Sequence, residues 1–346
     1  MKVWFPVIQA NSGSDIFTER LAAALKKSGI ETIVTCYPGY FEFFPFLLSF
    51  ISPPEGTDII HTNSWNGFAF SGNHLPCIVT EHLTVLDPLF RQHKSLWQNL
   101  YHRTAIHWFE RLSLSNAAAI TAVSNFAAAG LQRAYNLSDV SVIHNWVDTE
   151  LFKPAKESAY ADNDPLRLLF VGNLSKRKGA DLLAPIMCHL ENGFELQIVG
   201  SNCSRLPGKL PSNIHYAGYK TGQNLVDAYR RCDALLFPSR HEGFGLVALE
   251  AMSCGKPVIA ADSASLPEIV EHEVTGLLCP VDDVNCFVQA CRRIKENIEL
   301  SHQYGDAARQ RAVDFFSEDA AISKYTKLYK AVLRRNTRHQ SDVDSG

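Results

Sequence analysis

The feature that most constrains this chain is an alternation of short apolar runs with helical patterns, repeated on both sides of a polar linker. The first series begins with KVWFPVI (2–8), a predicted strand, and DIFTERLAAALKKSG (15–29), a predicted helix. The second begins after KPAKESAYADNDP (153–165) with LRLLFVG (166–172). Strands without clean in/out alternation are typical of parallel sheets that helices cover on both faces. The sequence therefore predicts an α/β protein with two doubly wound, Rossmann-like halves.

The linker and the last helical stretch define the predicted domains. Residues 1–155 form the first domain and residues 156–315 the second. The segment 316–334 has a helical pattern and no strand after it, so it is a candidate to pack back on the first domain. The polar tail 335–346 is expected to fray. Ligands of such sheets bind beyond the carboxyl ends of the strands, so a central cleft between the halves is the expected site.

Composition excludes several function classes. The chain has 346 residues, 46% apolar and 20% charged, which suits a globular protein of about two domains. A net charge of −3 offers no basic footprint for nucleic acid. The nine cysteines form no C-x-x-C pair, which favours reduced thiols over a disulfide scaffold or a zinc module. With no apolar run at the N-terminus that suits a signal peptide, we expect a cytoplasmic protein.

The most apolar stretch, FEFFPFLLSFIS (41–52), is too short to span a bilayer and is interrupted by Glu42 and Pro45. Runs of this length usually belong to the core. A buried or half-buried helix is therefore the favoured interpretation, and a membrane-facing segment is the alternative.

One stretch carries most of the chemistry: SRHEGFGLVALEAMSCGKPVIAAD, residues 239–262. Gly243 and Gly245 let the backbone approach a ligand, and the helix after them supplies unpaired N–H donors for a phosphate. Glu250 lies inside that helix and Glu242 precedes the glycines, so both carboxylates can accept from sugar hydroxyls. The pattern indicates a nucleotide-sugar site, and the alternative is an ordinary strand–loop–helix turn with a surface glutamate.

The run E-G-F-G-L-x-x-x-E, continued by A-M-x-x-G-x-P-V-I, resembles the E-x7-E segment of retaining GT-B glycosyltransferases of family 4, the glycosyl transferases group 1. Further matches follow in order along nearly the whole chain: NSGSDIFTERLAAALKKSGIET, DIIHTNSW, VTEHLT, AITAVSNF, VIHNWVDTELFKP, LFVGNLSKRKGADLL and GLLCPVDD. Ordered matches are far more specific than any one motif. The resemblance implies the GT-B fold, in which two Rossmann-like domains face a central cleft.

The resemblance assigns roles to the residues of this stretch. Glu242 would contact the hydroxyls of the donor sugar, and Glu250 would bind the nucleotide ribose. The backbone of Gly243, Phe244 and Gly245, with Leu246 opening the helix, would hold the sugar and the phosphates.

Lys178 matches the family lysine that offsets diphosphate charge as the leaving group departs. A cation at that place stabilises charge that develops in the transition state. Lys176 and Arg177 precede it, and the alternative is a basic run that faces water.

In the first half, Gly13 would let its loop approach the donor phosphate, although an ordinary strand–helix turn explains it equally. His82 matches a histidine that faces the transferred sugar, and the alternative is a satisfied core histidine. Its neighbour Glu81 receives no role. Ser124 and Asn145, at strand ends, are candidates to line the site.

The chain departs from the family pattern at two places. Asn173 follows the glycine of VG where the family usually has arginine, a bidentate phosphate clamp. Either the basic cluster 176–178 compensates or diphosphate binding is weaker. Ala264 and Ser265 stand where paired glycines are usual before Pro-Glu, here Pro267 and Glu268, in a loop that the resemblance places near the donor site.

The resemblance implies a sugar transfer that retains anomeric configuration through a front-face displacement, without a metal or another cofactor. The donor would be a UDP-, GDP- or ADP-sugar, and the acceptor a glycan or a lipid-linked molecule. The alternative is a catalytically impaired family member that acts as a binding or scaffold subunit, which Asn173 favours and the presence of Glu242, Glu250 and Lys178 opposes.

The segment FRQHKSLWQNLYHRTAIHWFERL (90–112) interleaves basic and aromatic residues. This composition suits a helix at an anionic membrane, where a lipid-linked acceptor would be found. A helix that packs its aromatic residues inward explains the pattern equally. We therefore expect a cytoplasmic protein with a candidate peripheral contact at the inner face of the membrane.

Overall fold

A computed structural model describes residues 1–9, 13–72, 74–84, 86, 102–155, 165–201 and 210–344. The chain divides into two compact units, Met1–Asn145 together with Asp319–Gly346, and Trp146–Glu318. The unit boundary at Asn145 lies upstream of the boundary expected at residue 155, and the last helix belongs to the first unit.

The predicted alternation of strands and helices is present in both units. The strands are β1 (Lys2–Ile8), β2 (Glu31–Tyr37), β3 (Ile59–Asn63), β4 (Cys77–Glu81), β5 (Ala119–Ala122), β6 (Ser141–Val142), β7 (Leu166–Val171), β8 (Phe194–Val199), β9 (Ile214–Tyr216), β10 (Ala234–Phe237), β11 (Val258–Ala261) and β12 (Gly276–Cys279). The α-helices of the described ranges are α1 (Gly13–Lys27), α2 (His107–Ser115), α3 (Asn125–Tyr135), α4 (Ala180–Leu190), α5 (Gly222–Arg231), α6 (Leu246–Ser253), α7 (Leu266–Ile269), α8 (Val284–Glu296), α9 (Ile298–Phe315) and α10 (Glu318–Asp344).

Each unit contains one six-stranded sheet in which every described strand pair is parallel. The order is β2-β1-β3-β4-β5-β6 in the first unit and β12-β11-β10-β7-β8-β9 in the second. In both sheets the first strand of the unit lies inside the sheet, where the order reverses. The fold class predicted from the sequence is confirmed. Because the strands are parallel, the loops at the carboxyl ends of neighbouring strands lie at the same edge of each sheet.

Helix α10 packs on the sheet of the first unit through a buried polar network. Tyr325 and Tyr329 are fully buried, and the hydroxyl of Tyr329 lies 2.7 Å from Nδ1 of His61 in β3. Nε2 of His61 lies 2.7 Å from Oγ1 of Thr80 in β4. Burial and the neighbouring His82 lower the pKa of His61 to about 3, so the imidazole is neutral within the network. The helix continues to Asp344 through the tail that was expected to fray.

The apolar stretch after β2 corrects one prediction. It forms two 3-10 turns, Gly39–Glu42 and Pro45–Phe50, in which only Pro45 and Leu48 are buried. Several of its large side chains are exposed, by 49% to 88%: Tyr40, Phe43, Phe44, Phe46, Leu47 and Phe50. The favoured interpretation, a buried or half-buried helix, is wrong: the stretch forms two separate 3-10 turns because Pro45 starts a new one, and only two of their side chains are directed inward.

The expected membrane segment 90–112 is described in part, since residues 90–101 lie outside the described ranges. Residues 102–106 form a π-helical turn that leads into α2. In α2, Trp108 is 56% exposed, whereas Phe109 and Glu110 are buried. None of the helices in the described residues has the length and apolar character needed to cross a bilayer.

Candidate functional site

The second unit brings together the basic turn and the glycine-rich loop predicted from the sequence. Strands β7 and β10 are neighbours, so the turn Lys176–Lys178 after β7 and the loop after β10 lie at the same sheet edge. The two approach closely because Gly179 has no side chain, and a Cβ there would lie 2.0 Å from the carbonyl oxygen of Pro238. Gly179 also adopts a φ of +70°, which favours glycine.

Lys178 and Glu242 form the centre of this site. Nζ of Lys178 donates to Oε1 of Glu242 at 2.6 Å, and the two side chains are 14% and 9% exposed. The hydroxyl of Ser239 donates to the same oxygen at 2.5 Å, and NH1 of Arg177 lies 3.9 Å from it. Within the described part of the chain every polar contact of this carboxylate is made by Oε1. Oε2 is therefore the oxygen available to a ligand hydroxyl.

The charge state of Glu242 follows from these neighbours. Burial alone would raise the pKa of its carboxyl group, but the charges of Lys178 and Arg177 and the hydrogen bonds from Lys178 and Ser239 outweigh burial. The net effect lowers the pKa below its usual range, so Glu242 is a carboxylate at neutral pH.

The basic turn is held in place by a second set of ion pairs. Arg240 donates to Asp181 of α4 at 2.7 and 2.9 Å and to Asp282 at 2.6 Å, and it also donates to the carbonyl of Lys176. Arg177 donates to the carbonyl of His241 at 2.7 Å. The turn and the loop are thereby joined at several points besides the Lys178–Glu242 pair.

Glu250 lies in α6 and is 6% exposed. The hydroxyl of Tyr229, a fully buried residue of α5, donates to Oε2 of Glu250 at 2.9 Å. Burial and the charge of Glu250 raise the pKa of Tyr229 well above its ordinary value, so this hydroxyl keeps its proton. Tyr229 therefore fixes the carboxylate that the sequence assigns to the ribose.

Further residues of the second unit that were assigned to the donor lie in the glycine-rich loop, at the start of α6 and after β7. Gly245 adopts a φ of +102° immediately before α6, and Phe244 is 4% exposed. Gly243 and Leu246 are partly exposed. Asn173 is exposed at the end of β7, where its Oδ1 accepts from the hydroxyl of Ser201 at 2.7 Å.

Gly13 and His82 belong to the first unit. Gly13 begins α1 and is exposed, and a Cβ at this position would meet no atom of the described residues within 4 Å. His82 follows β4, with its ring 4.7 Å from that of Phe17 and its Nε2 3.0 Å from Oδ1 of Asn63. Burial lowers the pKa of His82 to about 4, so the ring is neutral at pH 7. Nε2 donates to Asn63, which leaves Nδ1 as the acceptor.

Two candidate lining residues have structural surroundings of their own. The hydroxyl of Ser124 caps α3 by accepting from the amide of Ala127 at 3.0 Å, and the residue is fully buried. Asn145 is 7% exposed, and its Oδ1 is buried without a hydrogen-bond partner.

Sequence reasoning missed three residues that support the site: Ser239, Tyr229 and Ser265. Ser239 closes the strand pattern DALLFPS three residues before Glu242, a signal that could have been used. Tyr229 lies on another helix and had no signal in the sequence. Ser265 had been considered only as a departure from a glycine pair. Across the described ranges no group of three or more His, Cys, Asp or Glu side chains is arranged to hold a metal ion.

Two family models match successive parts of this chain. A family model described as "Glycosyl transferases group 1" matches residues 152–311, and one described as "Glycosyltransferase Family 4" matches residues 37–151. The chain is 30% identical over 200 residues to an uncharacterised 41.2 kDa protein of a cps region in Klebsiella pneumoniae. That match covers 56% of this chain and 55% of the Klebsiella protein, so it spans about half the length of that relative.

Solved structures match over nearly the whole chain. Sucrose-phosphate synthase from Thermosynechococcus elongatus has a TM-score of 0.80 at 22% identity, covering 97% of this chain and 100% of that one. Anabaena HepE in complex with UDP and glucose has a TM-score of 0.76 at 18% identity, covering 96% and 100%. At these identities the likeness establishes the fold.

Proposed function

Because the chain belongs to the glycosyltransferases that these two family models describe, and has their GT-B fold, we propose that it transfers a sugar from a nucleoside-diphosphate sugar to a hydroxyl group of a glycan or lipid-linked acceptor. The observation that carries the proposal is the buried Lys178–Glu242 pair beside Gly243 and Gly245. It joins a cation suited to phosphates, a carboxylate suited to sugar hydroxyls and a backbone that a ligand can approach.

Each residue has a defined task in this proposal. Lys178, with Arg177 beside it, offsets the charge that develops on the departing diphosphate. Oε2 of Glu242 accepts from hydroxyls of the donor sugar, and Glu250, held by Tyr229, accepts from the ribose. His82 presents Nδ1 as an acceptor to the transferred sugar.

We propose a front-face displacement that retains the anomeric configuration and needs no metal. Anomeric coupling constants of the product, measured by NMR, test the stereochemistry, and an inverted product would contradict it. We expect activity to be unchanged by excess EDTA. Loss of activity with EDTA and its recovery with Mg²⁺ or Mn²⁺ would show that a metal ion, rather than Lys178 and Arg177, offsets the charge of the departing diphosphate.

The donor class is tested by thermal shift with UDP, GDP, ADP and their sugar conjugates, on the wild type and on Glu250→Ala. One nucleotide should raise the melting temperature of the wild type, because a ligand that binds the folded state stabilises it. The shift should largely disappear in Glu250→Ala if this carboxylate binds the ribose. An equal shift of the melting temperature in both proteins would contradict a contact between Glu250 and the ribose.

Asn173 supports a second candidate, a family member with impaired catalysis that acts as a binding or scaffold subunit. Its side chain accepts from Ser201 and offers no cation to a phosphate. If no nucleotide shifts the wild type but one shifts Asn173→Arg, the impaired subunit is the better description. Turnover by the wild type would exclude it.

The acceptor side of the proposal includes a peripheral membrane contact through segment 90–112. In its described part, Trp108 is exposed by 56% and available to a lipid surface. Flotation with liposomes that contain anionic lipid tests this contact, with Trp108→Ser as the variant and Phe315→Ser, at an exposed residue of the second unit, as the comparison. The wild type should float and Trp108→Ser should float less. No flotation of the wild type would reject the contact.

A further inference from the structure

The turn before α7 contains a conformation that alanine rarely adopts. Ala264 has a φ of +53°, in the left-handed region that favours glycine. The next residue, Ser265, is fully buried. A left-handed alanine and a buried hydroxyl each cost free energy, so both persist only where the surrounding contacts stabilise them.

The hydroxyl of Ser265 is directed at the glycine-rich loop. Its Oγ lies 3.0 Å from the carbonyl oxygen of Glu242 and 2.8 Å from that of Phe244. Ser265 occupies the position before α7 where a serine side chain usually accepts from a helix amide, yet it makes no such bond. A hydroxyl has one proton, so the two carbonyls share it.

The same segment supports the loop by packing. A Cβ at Gly245 would lie 2.9 Å from Cδ2 of Leu266 and 3.2 Å from Cδ1 of Ile269. The short helix α7 therefore lies directly beneath Gly245, while Ser265 holds the carbonyl groups on either side of Gly243.

We propose that Ser265 is a positioning residue for the loop Glu242–Gly245. In a planar trans peptide the C=O of one residue and the N–H of the next point in opposite directions. Holding the carbonyls of Glu242 and Phe244 towards Ser265 therefore directs the amides of Gly243 and Gly245 away from it. The left-handed turn at Ala264 is what brings the hydroxyl to both carbonyls.

The consequence for ligands rests on the proposed function, in which the donor approaches the backbone of this loop. Ser265 then sets the direction of the backbone donors, and its loss weakens donor binding although Ser265 itself touches no donor atom. The hydroxyl of Ser265, placed by the left-handed turn at residue 264, thus fixes the loop before the donor arrives.

The test compares Ser265→Ala with Ser263→Ala. Ser263 lies in the same turn, and its hydroxyl also donates to a backbone carbonyl, that of Arg240 at 2.6 Å. Hydrogen–deuterium exchange of a peptide that spans residues 242–246, without ligand, should become several-fold faster in Ser265→Ala and stay near wild type in Ser263→Ala. Titration calorimetry with UDP, GDP and ADP should show about a 5- to 10-fold higher Kd in Ser265→Ala and less than a 2-fold change in the control.

Exchange and affinity separate this inference from the proposed function. If the wild type binds none of the three nucleotides, the donor proposal fails, and exchange still decides whether Ser265 holds the loop. Equal exchange in both variants overturns the inference, as does an unchanged Kd in Ser265→Ala. Should Ser265→Ala not fold, Ser265→Cys, with a weaker donor of similar size, replaces it and should give an intermediate effect. Ala264→Gly should raise the melting temperature by about 2 °C without a change in Kd, because the strain is relieved and the hydroxyl remains.

Discussion

Two buried glutamates follow parallel strands in the two units, and their carboxyl groups behave in opposite ways. Glu81 ends β4 in the first unit and is 1% exposed, while Glu242 follows β10 in the second and is 7% exposed. Burial raises the pKa of Glu81 to about 7, although hydrogen bonds from Ser64 and from the amides of Leu83 and His82 oppose it. The pKa of Glu242 lies below its usual range.

The difference arises from cations rather than from depth. Glu242 has Lys178 at 2.6 Å and Arg177 at 3.9 Å. Among the residues that the structure describes, no cation contributes to the pKa shift of Glu81, and its Oε2 is buried without a hydrogen-bond partner. Equal burial thus yields a carboxylate at one site and a group that is partly protonated at neutral pH at the other. Only the first is prepared to accept hydrogen bonds from a sugar at every pH near 7.

The largest effect on kcat/KM is expected when Glu242 loses its cation and becomes a buried carboxyl group like that of Glu81. Lys178→Met removes the nearest cation, so burial raises the pKa of Glu242 and the acid limb of kcat/KM moves to higher pH. We expect kcat/KM to fall by about 100-fold or more, since the diphosphate also loses its cation. The measurement is kcat/KM for the donor across pH.

Lys295→Met is the matched control for this experiment. Nζ of Lys295 lies 5.1 Å from the ring centroid of Phe194, much as Nζ of Lys178 lies 5.2 Å from that of Phe237. A lysine over a ring is lost in both variants, but only Lys178 contacts a buried carboxylate of the site. A loss below 5-fold in Lys178→Met, or an equal loss in both, would contradict the role of Lys178.

The second prediction tests the other side of the comparison. The folded-state pKa of Glu81 is about 7 against an ordinary value of 4.5, so between these values the folded state holds a proton that the unfolded state has released. The contribution of Glu81 to the free energy of unfolding should therefore fall as the pH rises from about 5 to about 7 and level off above that. Glu81→Gln should remove about 2 kcal/mol of this pH dependence.

Urea unfolding at pH 5 and pH 7.5, followed by tryptophan fluorescence, measures the effect, because Trp4, Trp65 and Trp108 lie in the first unit. His61 and His82 have lowered pKa values, so their contribution to the free energy of unfolding has the opposite pH dependence and is lost as the pH falls below 6.5. The difference between Glu81→Gln and wild type cancels their contribution. A difference that does not change with pH would show that Glu81 is already ionised at pH 5.

The sequence was sufficient for the fold class and for the bounds of several elements. The run KVWFPVI predicted β1 at its exact bounds, and a helix was expected to begin near Leu246, where α6 begins. Lys178 and Glu242 were named separately, from resemblance. Their hydrogen bond joins residues 64 positions apart and depends on β7 lying next to β10, which no local pattern states.

The remaining features depend on tertiary contacts that a linear pattern cannot represent. Tyr229 reaches Glu250 from another helix, and Ser265 reaches two carbonyls across a turn. The exposed turn Pro45–Phe50 was misjudged because hydrophobicity indicates a tendency to be buried but not whether a helix can form through Pro45. The roles assigned to the site residues remain predictions that the variants described here test.

A smaller effect is expected where the partner of a buried carboxylate is neutral. Tyr229→Phe removes the hydroxyl that donates to Glu250, leaving a buried carboxylate with one hydrogen bond fewer. We expect a loss of about 1–2 kcal/mol in the free energy of unfolding and a severalfold weaker nucleotide affinity. Urea unfolding and calorimetry measure these two quantities. Unchanged affinity with reduced stability would limit Tyr229 to a structural role.

The smallest effect on stability is expected for a carboxylate that has a cation beside it but is not buried. Arg293 pairs with Glu273 at the surface and lowers the pKa of that carboxyl group through a hydrogen bond and its charge. Both side chains are about half exposed, so water and salt screen the pair. Glu273→Gln should leave the urea midpoint within error of wild type at 150 mM salt. A clear loss of stability that 1 M salt abolishes would contradict this expectation. It would show that a cation stabilises a carboxylate at the surface as well, without the shielding from water that the Lys178–Glu242 pair has.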